Sequence, residues 1–208
     1  MAGGKNLVVF KIDWESIEQW TEELYAEGFF PEVHQGEPAD ILKFFECELP
    51  DYMAVKFGIK GFQTGVRDLD SFLNRTGLEG YTSAPGNYSY IHQALYDDQS
   101  IYAQRRLRST VGHETFHSIG HVPHVKDFIS ANGMPSAEYY REAKELPAYM
   151  NPDVQSDVFS GCVLMPRKEL QRLNREGKLE NVSYLAERFN VNPAFVRSRL
   201  RRKTIFKG

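Results

Sequence analysis

The sequence predicts an α+β fold: a small antiparallel sheet, one long helix carrying the chemistry, and a helical C-terminal segment. Three observations lead there. Apolar residues at three- and four-residue spacing alternate with short strand-like runs bounded by glycine and proline. The segment His113-Glu114-Thr115-Phe116-His117 places two imidazoles four residues apart. The last stretch is helical in pattern, breaks at Asn190-Val191-Asn192-Pro193 and resumes. With 208 residues, 41% of them hydrophobic and 13% aromatic, the chain suits one ordinary core with a small unit appended.

Charge and composition exclude several classes. A net charge of -3 and an isoelectric point near 6.1 argue against wholesale nucleic-acid binding. The apolar run Leu7 to Phe10 is too short for a secretion signal or a membrane span. Two cysteines, Cys47 and Cys162, cannot build a disulfide framework. The expectation is a soluble, reduced, cytoplasmic protein with no membrane partner.

The elements follow in order. Residues 5–12 read as a short strand or lead-in. Trp14, Ile17, Trp20 and Leu24 mark an amphipathic helix. Residues 39–45 suggest a second, ending before Pro50. The stretch 52–66 alternates like a strand, blurred by Gly58, Gly61 and Gly65, and 68–74 reads as a short helix stopped by Gly77. Residues 81–87 are turn-like. Tyr88 to Leu95 reads as a strand, expected at the edge of the sheet beside the substrate cleft, with His92 structural. The run Ile101 to Leu107 starts the motif helix, which Gly120 and Pro123 should end. Gly112, costly in a helix interior, points to a close backbone approach. Residues 1–80 thus form a mostly helical region of unknown role, 81–166 the metal-binding core, and 167–208 a helical subdomain.

On a helix, His113 and His117 lie on one face and can share a metal ion, while Glu114 can reach a metal-held water without being a ligand. That suits hydrolysis, because the metal acidifies the water and the carboxylate takes its proton. A catalytic zinc usually has three protein ligands. His121 is unsuitable, since three ligands on a straight helix would span about 12 Å. His124 arrives one position late for the longer pattern HExxHxxGxxH. Downstream, Asn151-Pro152 starts a helix with an apolar stripe of Val154, Val158, Cys162 and Met165. Asp153 and Asp157 share its other face. These two, with Glu138, Glu142 and Glu145, are five candidate carboxylates among which spacing does not choose.

The run Gln104 to His121 (QRRLRSTVGHETFHSIGH) and the run Asp153 to Pro166 (DVQSDVFSGCVLMP) together resemble the ImmA/IrrE family of metallopeptidases. Asp157, Phe159, Leu164, Met165 and Pro166 fall in the family's register. Asp153 then stands at the position of the third ligand, usually Glu, with Asp157 in reserve; Ser160 replaces the usual Ala. The resemblance covers roughly residues 85–203. It implies a zincin-like core holding Zn²⁺ through His113, His117 and Asp153, with Glu114 as general base and later proton donor. It further implies a zinc metalloendopeptidase whose substrate is a regulatory protein, such as a helix-turn-helix transcriptional repressor controlling stress-response or mobile-element genes. Residues 179–202 resemble the family's helix-turn-helix-like end, where Arg197, Arg199, Arg201, Arg202 and Lys203 offer a weak DNA contact. The alternative is a DNA-binding or partner-sequestering regulator with a structural or vestigial metal site.

Overall fold

Asp13 caps the first helix, its Oδ1 accepting from the Ser16 amide at 2.8 Å. Helix α1 (Trp14–Ala26) then follows the expected spacing, with Ile17 and Leu24 fully buried. The computed structural model describes residues 11–133, 147–202 and 205. Residues 5–10 of the expected lead-in, Glu138, Glu142, Glu145 and Lys203 lie outside them.

The second helix does not stop at Pro50. Helix α2 (Ile41–Lys43) passes through a π turn, Phe44–Glu48, into α3 (Leu49–Phe57). Pro50 sits in the first turn of α3, where a missing N–H costs little. The apparent alternation after Tyr52 is therefore helical, with Tyr52 and Met53 buried, and Gly58 at φ 69° ends it. The strand expected over 52–66 shrinks to β1 (Gln63–Arg67). Helix α4 (Leu69–Leu73) starts on Asp68 as expected, but Asn74 at φ 49°, rather than Gly77, terminates it.

The segment read as a turn contains strand β2 (Gly80–Ser83), joined by the turn 84–87 to β3 (Tyr88–His92). After His92 the chain turns into α5 (Gln93–Asp97), so the expected strand is shorter by three residues. The sheet order is β1-β3-β2, with β2 antiparallel and β1 parallel to β3. The sheet is thus mixed, not purely antiparallel, because β1 reaches its partner through α4 and β2 rather than by a hairpin. Tyr88 to His92 forms the central strand; β1 and β2 hold the two edges.

Helix α6 (Ile101–Phe116) begins at the Ser100 cap, before the motif as expected. It does not end at Gly120 or Pro123. A π turn, His117–His121, leads into α7 (Val122–Asn132), and Pro123 occupies the first turn of that helix. Helix α8 (Pro152–Leu164) starts at Asn151, whose Oδ1 accepts from the Asp153 and Val154 amides at 2.9 and 3.3 Å. It lies antiparallel to α6. Helices α9 (Arg167–Arg175), α10 (Val182–Arg188) and α11 (Pro193–Leu200) complete the described chain.

One apolar cluster runs from Ile17 on α1 to Ile205, through Phe116, Phe159, Leu185 and Val196. The protein is a mixed α+β fold, mostly helical, with a three-stranded sheet. Among the described residues no helix is long and apolar enough to cross a membrane.

The basic C-terminal helix is only partly a solvent face. Arg199 is buried, donating to Glu18 Oε1 and Oε2 at 2.5 and 2.9 Å and to Met165 O at 3.1 Å. Arg202 lies over the Trp14 ring. Of the five expected DNA-contacting cations, Arg199 is therefore withdrawn into the core and Arg202 is half-buried, whereas Arg197 and Arg201 are exposed. Upstream, Arg108 donates to Ala39 O and Asn190 O, Arg105 to Asn190 Oδ1, and Arg106 pairs with Glu79.

Candidate metal centre

The centre is built by two antiparallel helices in register. Where α6 passes α8, Gly112 faces Ser160: a Cβ at Gly112 would lie 2.7 Å from Ser160 Oγ and 3.2 Å from its Cα. The close approach inferred from Gly112 is therefore with Ser160, whose hydroxyl donates to Ser109 O at 2.9 Å. Stacked Phe116 and Phe159, centroids 4.9 Å apart, fill the interior side of the same seam. One step along, His113 meets Asp157; one turn further, His117 meets Asp153. Four residues forward on α6 match four residues back on α8, so each imidazole receives a carboxylate.

His113, His117 and Asp153 each turn one ligand-type atom inward, and these atoms all lie within 4.8 Å of one another. Nε2 of His113 and Nε2 of His117 are 3.0 Å apart, and Asp153 Oδ1 is 3.4 Å from His117 Nε2. Tetrahedral ligands at the zinc distances of about 2.0–2.1 Å would be separated by about 3.3 Å. Both histidines are partly buried, while Asp153 and Asp157 are exposed, so the centre opens to solvent on its carboxylate side.

The surrounding hydrogen bonds decide which ring nitrogens carry protons. Gln155 Nε2 donates to Tyr149 O at 2.8 Å, which turns Gln155 Oε1 toward His121 Nε2, also at 2.8 Å. His121 must therefore donate from Nε2 and, being neutral, accept at Nδ1. Burial, with His117 next to it, pushes the pKa of His121 down to about 3 and keeps it neutral. His117 Nδ1, 3.0 Å from His121 Nδ1, must then be the donor, leaving its Nε2 bare. His113 donates from Nδ1 to Asp157 Oδ1 at 2.9 Å, which likewise bares its Nε2.

Two bare nitrogens facing each other at 3.0 Å need a cation or a proton between them. The donor set fits a zinc ion: two neutral imidazoles, one carboxylate, and a second layer of Asp157 and His121 fixing the ring orientations. Burial opposes charging His113, but the bond to Asp157 and the nearby Glu114, Asp157 and Asp153 charges outweigh it and hold its pKa above the ordinary histidine value. Asp153 is held below the usual carboxylate range, chiefly by the His117 ring beside it.

Glu114 is buried and turned toward the sheet, where its Oε2 accepts from Thr82 Oγ1 at 2.6 Å. Asp157, the reserve ligand, sits behind His113 rather than among the three converging atoms. His121 is not among the three converging residues, but the π turn brings its ring 3.0 Å from His117 Nδ1, a contact that the straight-helix span argument did not foresee. The signal was present in the four-residue repeat His113, His117, His121. Gln155 had a weaker one, lying two residues beyond Asp153. Thr82 had none, since it reaches the motif across 32 residues.

No family model and no curated protein sequence matches the chain. A Mycobacterium tuberculosis transcriptional regulator of solved structure is similar to it, with a TM-score of 0.44 and 13% identity over 88% of this chain and 51% of that one. The chain spans about half the length of that protein, and a likeness at this level supports no argument about function.

Proposed function

We propose that the chain is a zinc-dependent metalloendopeptidase with a zincin-like core, of the ImmA/IrrE type, and that its substrate is a regulatory protein such as a helix-turn-helix repressor. The observation that carries the reading is the convergence of His113, His117 and Asp153 beside a buried glutamate that follows the first histidine. The substrate class comes from the family resemblance rather than from the centre's geometry.

His113 Nε2, His117 Nε2 and an Asp153 oxygen would hold the ion. When bound, zinc supplies Lewis acidity toward a carbonyl and lowers the pKa of water to about 7. The chain's own residues do the rest. Asp157 and His121 keep both Nε2 lone pairs presented. The Glu114 carboxylate takes a proton as water adds to the scissile carbonyl, then returns it to the departing amine as the C–N bond breaks. Strand β2, at an edge of the sheet among the described residues, lies beside Glu114 and would offer its main chain to an extended peptide. Of the cations once assigned to DNA, exposed Arg197 and Arg201 remain available, which suits a weak contact.

Glu114→Gln keeps the shape and the metal but removes the proton acceptor. New protein N-termini should be counted in a cell lysate treated with zinc-loaded wild type or with this variant. Wild type should generate termini that the variant produces roughly 10²–10⁴-fold more slowly. Identical sets of termini at equal rates would overturn the peptidase reading.

A further inference from the structure

Strand β2 touches the Glu114 carboxylate at two places on one face. Thr82 Oγ1 lies 2.6 Å from Glu114 Oε2 and 2.7 Å from Ser89 Oγ on the neighbouring strand. A hydroxyl has one proton to give. The Glu114 main-chain oxygen is a competing acceptor at 3.4 Å, but the short bond to a charged oxygen is the stronger. Thr82 therefore donates to Oε2, and Ser89 donates to Thr82. Ser89 is fully buried, so water does not compete for its hydroxyl.

Gly80, two residues before Thr82, shares that face. A Cβ there would stand 2.5 Å from Glu114 Cγ, 2.8 Å from Cδ and 2.7 Å from Oε1. Gly80 is not among the glycines with positive φ, so its backbone conformation is open to other residues. The missing side chain is needed for clearance.

We infer that Gly80, Thr82 and Ser89 are positioning residues that form a seat for the Glu114 carboxylate, pinning Oε2 and leaving Oε1 to receive the proton. The seat follows from geometry alone; its consequence for turnover rests on the peptidase reading above. A carboxylate rotates freely about its last torsion, so an unpinned Glu114 would sample many orientations. A misplacement of about 1 Å costs on the order of 10²-fold in rate.

Crystal structures of wild type, Thr82→Val, Thr82→Ser and Gly80→Ala, each metal-free and zinc-loaded, test the seat directly. Zinc content and the cleavage of fluorescein-labelled casein are measured alongside. Thr82→Val removes the hydroxyl at constant volume, and Thr82→Ser retains it. The three atoms nearest to a Cβ at Gly80 all belong to the Glu114 side chain, from Cγ outward, so in Gly80→Ala that side chain must shift while no backbone atom stands in the way. The carboxylate should leave its place in Thr82→Val and Gly80→Ala and keep it in Thr82→Ser, with zinc content equal in all four. The two displaced variants should lose about 10²-fold in kcat at unchanged KM, with Thr82→Ser close to wild type. An unmoved carboxylate in Thr82→Val and Gly80→Ala overturns the seat, as does a loss in Thr82→Ser equal to that in Thr82→Val. Wild type that neither cleaves casein nor yields new termini overturns the peptidase reading instead, and the crystal structures still decide the seat.

Discussion

Arg199→Ala should destabilise the protein severely without acting through nucleic acid. The guanidinium meets both oxygens of Glu18, and the two side chains are 0% and 1% exposed. Truncating Arg199 takes away the guanidinium that meets both oxygens of the buried Glu18 carboxylate and also leaves Met165 O without its Nε donor. Breaking a buried pair by removing one partner costs about 3–5 kcal/mol. At about 2–4 °C per kcal/mol for a chain of this size, the fall in Tm should be roughly 6–20 °C. Removing both charges with Glu18→Leu and Arg199→Met should restore most of it, since an apolar pair of similar volume leaves no stranded charge. Thermal melts of the two single variants and the double, at fixed pH and salt, give the coupling. A shift below about 3 °C for Arg199→Ala, or strictly additive losses, would refute the reasoning and return Arg199 to the list of surface cations.

Two further outcomes follow from the packing of α6 on α8. Asp157→Ala should weaken zinc binding about 10-fold, near the lower end of the usual 10–100-fold for an orienting partner, because its side chain is 66% exposed and water can replace it; titration against a chromophoric chelator measures this. If Asp157→Ala loses more affinity than Asp153→Ala, the two carboxylates have exchanged roles. With Ellman's reagent, native protein should show rapid reaction of exposed Cys47 alone. Burial pushes the Cys162 thiol up to about 12, so it should react only after denaturant is added; fast modification of both thiols would contradict the packing of α8.

What the sequence made legible was local. Helix α1 and helix α8 carry their own apolar stripes and caps, and Asn151-Pro152 marks a helix start that no tertiary contact need reveal. The pair His113 and His117 is likewise a statement about one helix. Proline misled twice for one reason: Pro50 and Pro123 each follow a π turn, which places the proline in the first turn of a new helix instead of at the end of the old one. The edge strand was misplaced because pairing is non-local. Nothing within residues 80–92 says that β1 will come alongside Tyr88 to His92 and displace it from the edge. Arg199 looked like its exposed neighbours Arg197 and Arg201, since its partner lies 181 residues away. Thr82, Ser89 and Gly80 are ordinary strand residues until the sheet is laid against Glu114.

The central claim is that His113, His117 and Asp153 hold one zinc ion. Purified protein, stripped with chelator and reloaded, should be assayed for bound metal by mass spectrometry under native conditions. Wild type and Asp153→Glu should each take up about one equivalent. The double variant His113→Ala/His117→Ala should take up none while keeping its secondary structure, and Asp153→Ala should lose its zinc at chelator concentrations the wild type withstands. A full, chelator-resistant equivalent on the double-histidine variant would contradict the account.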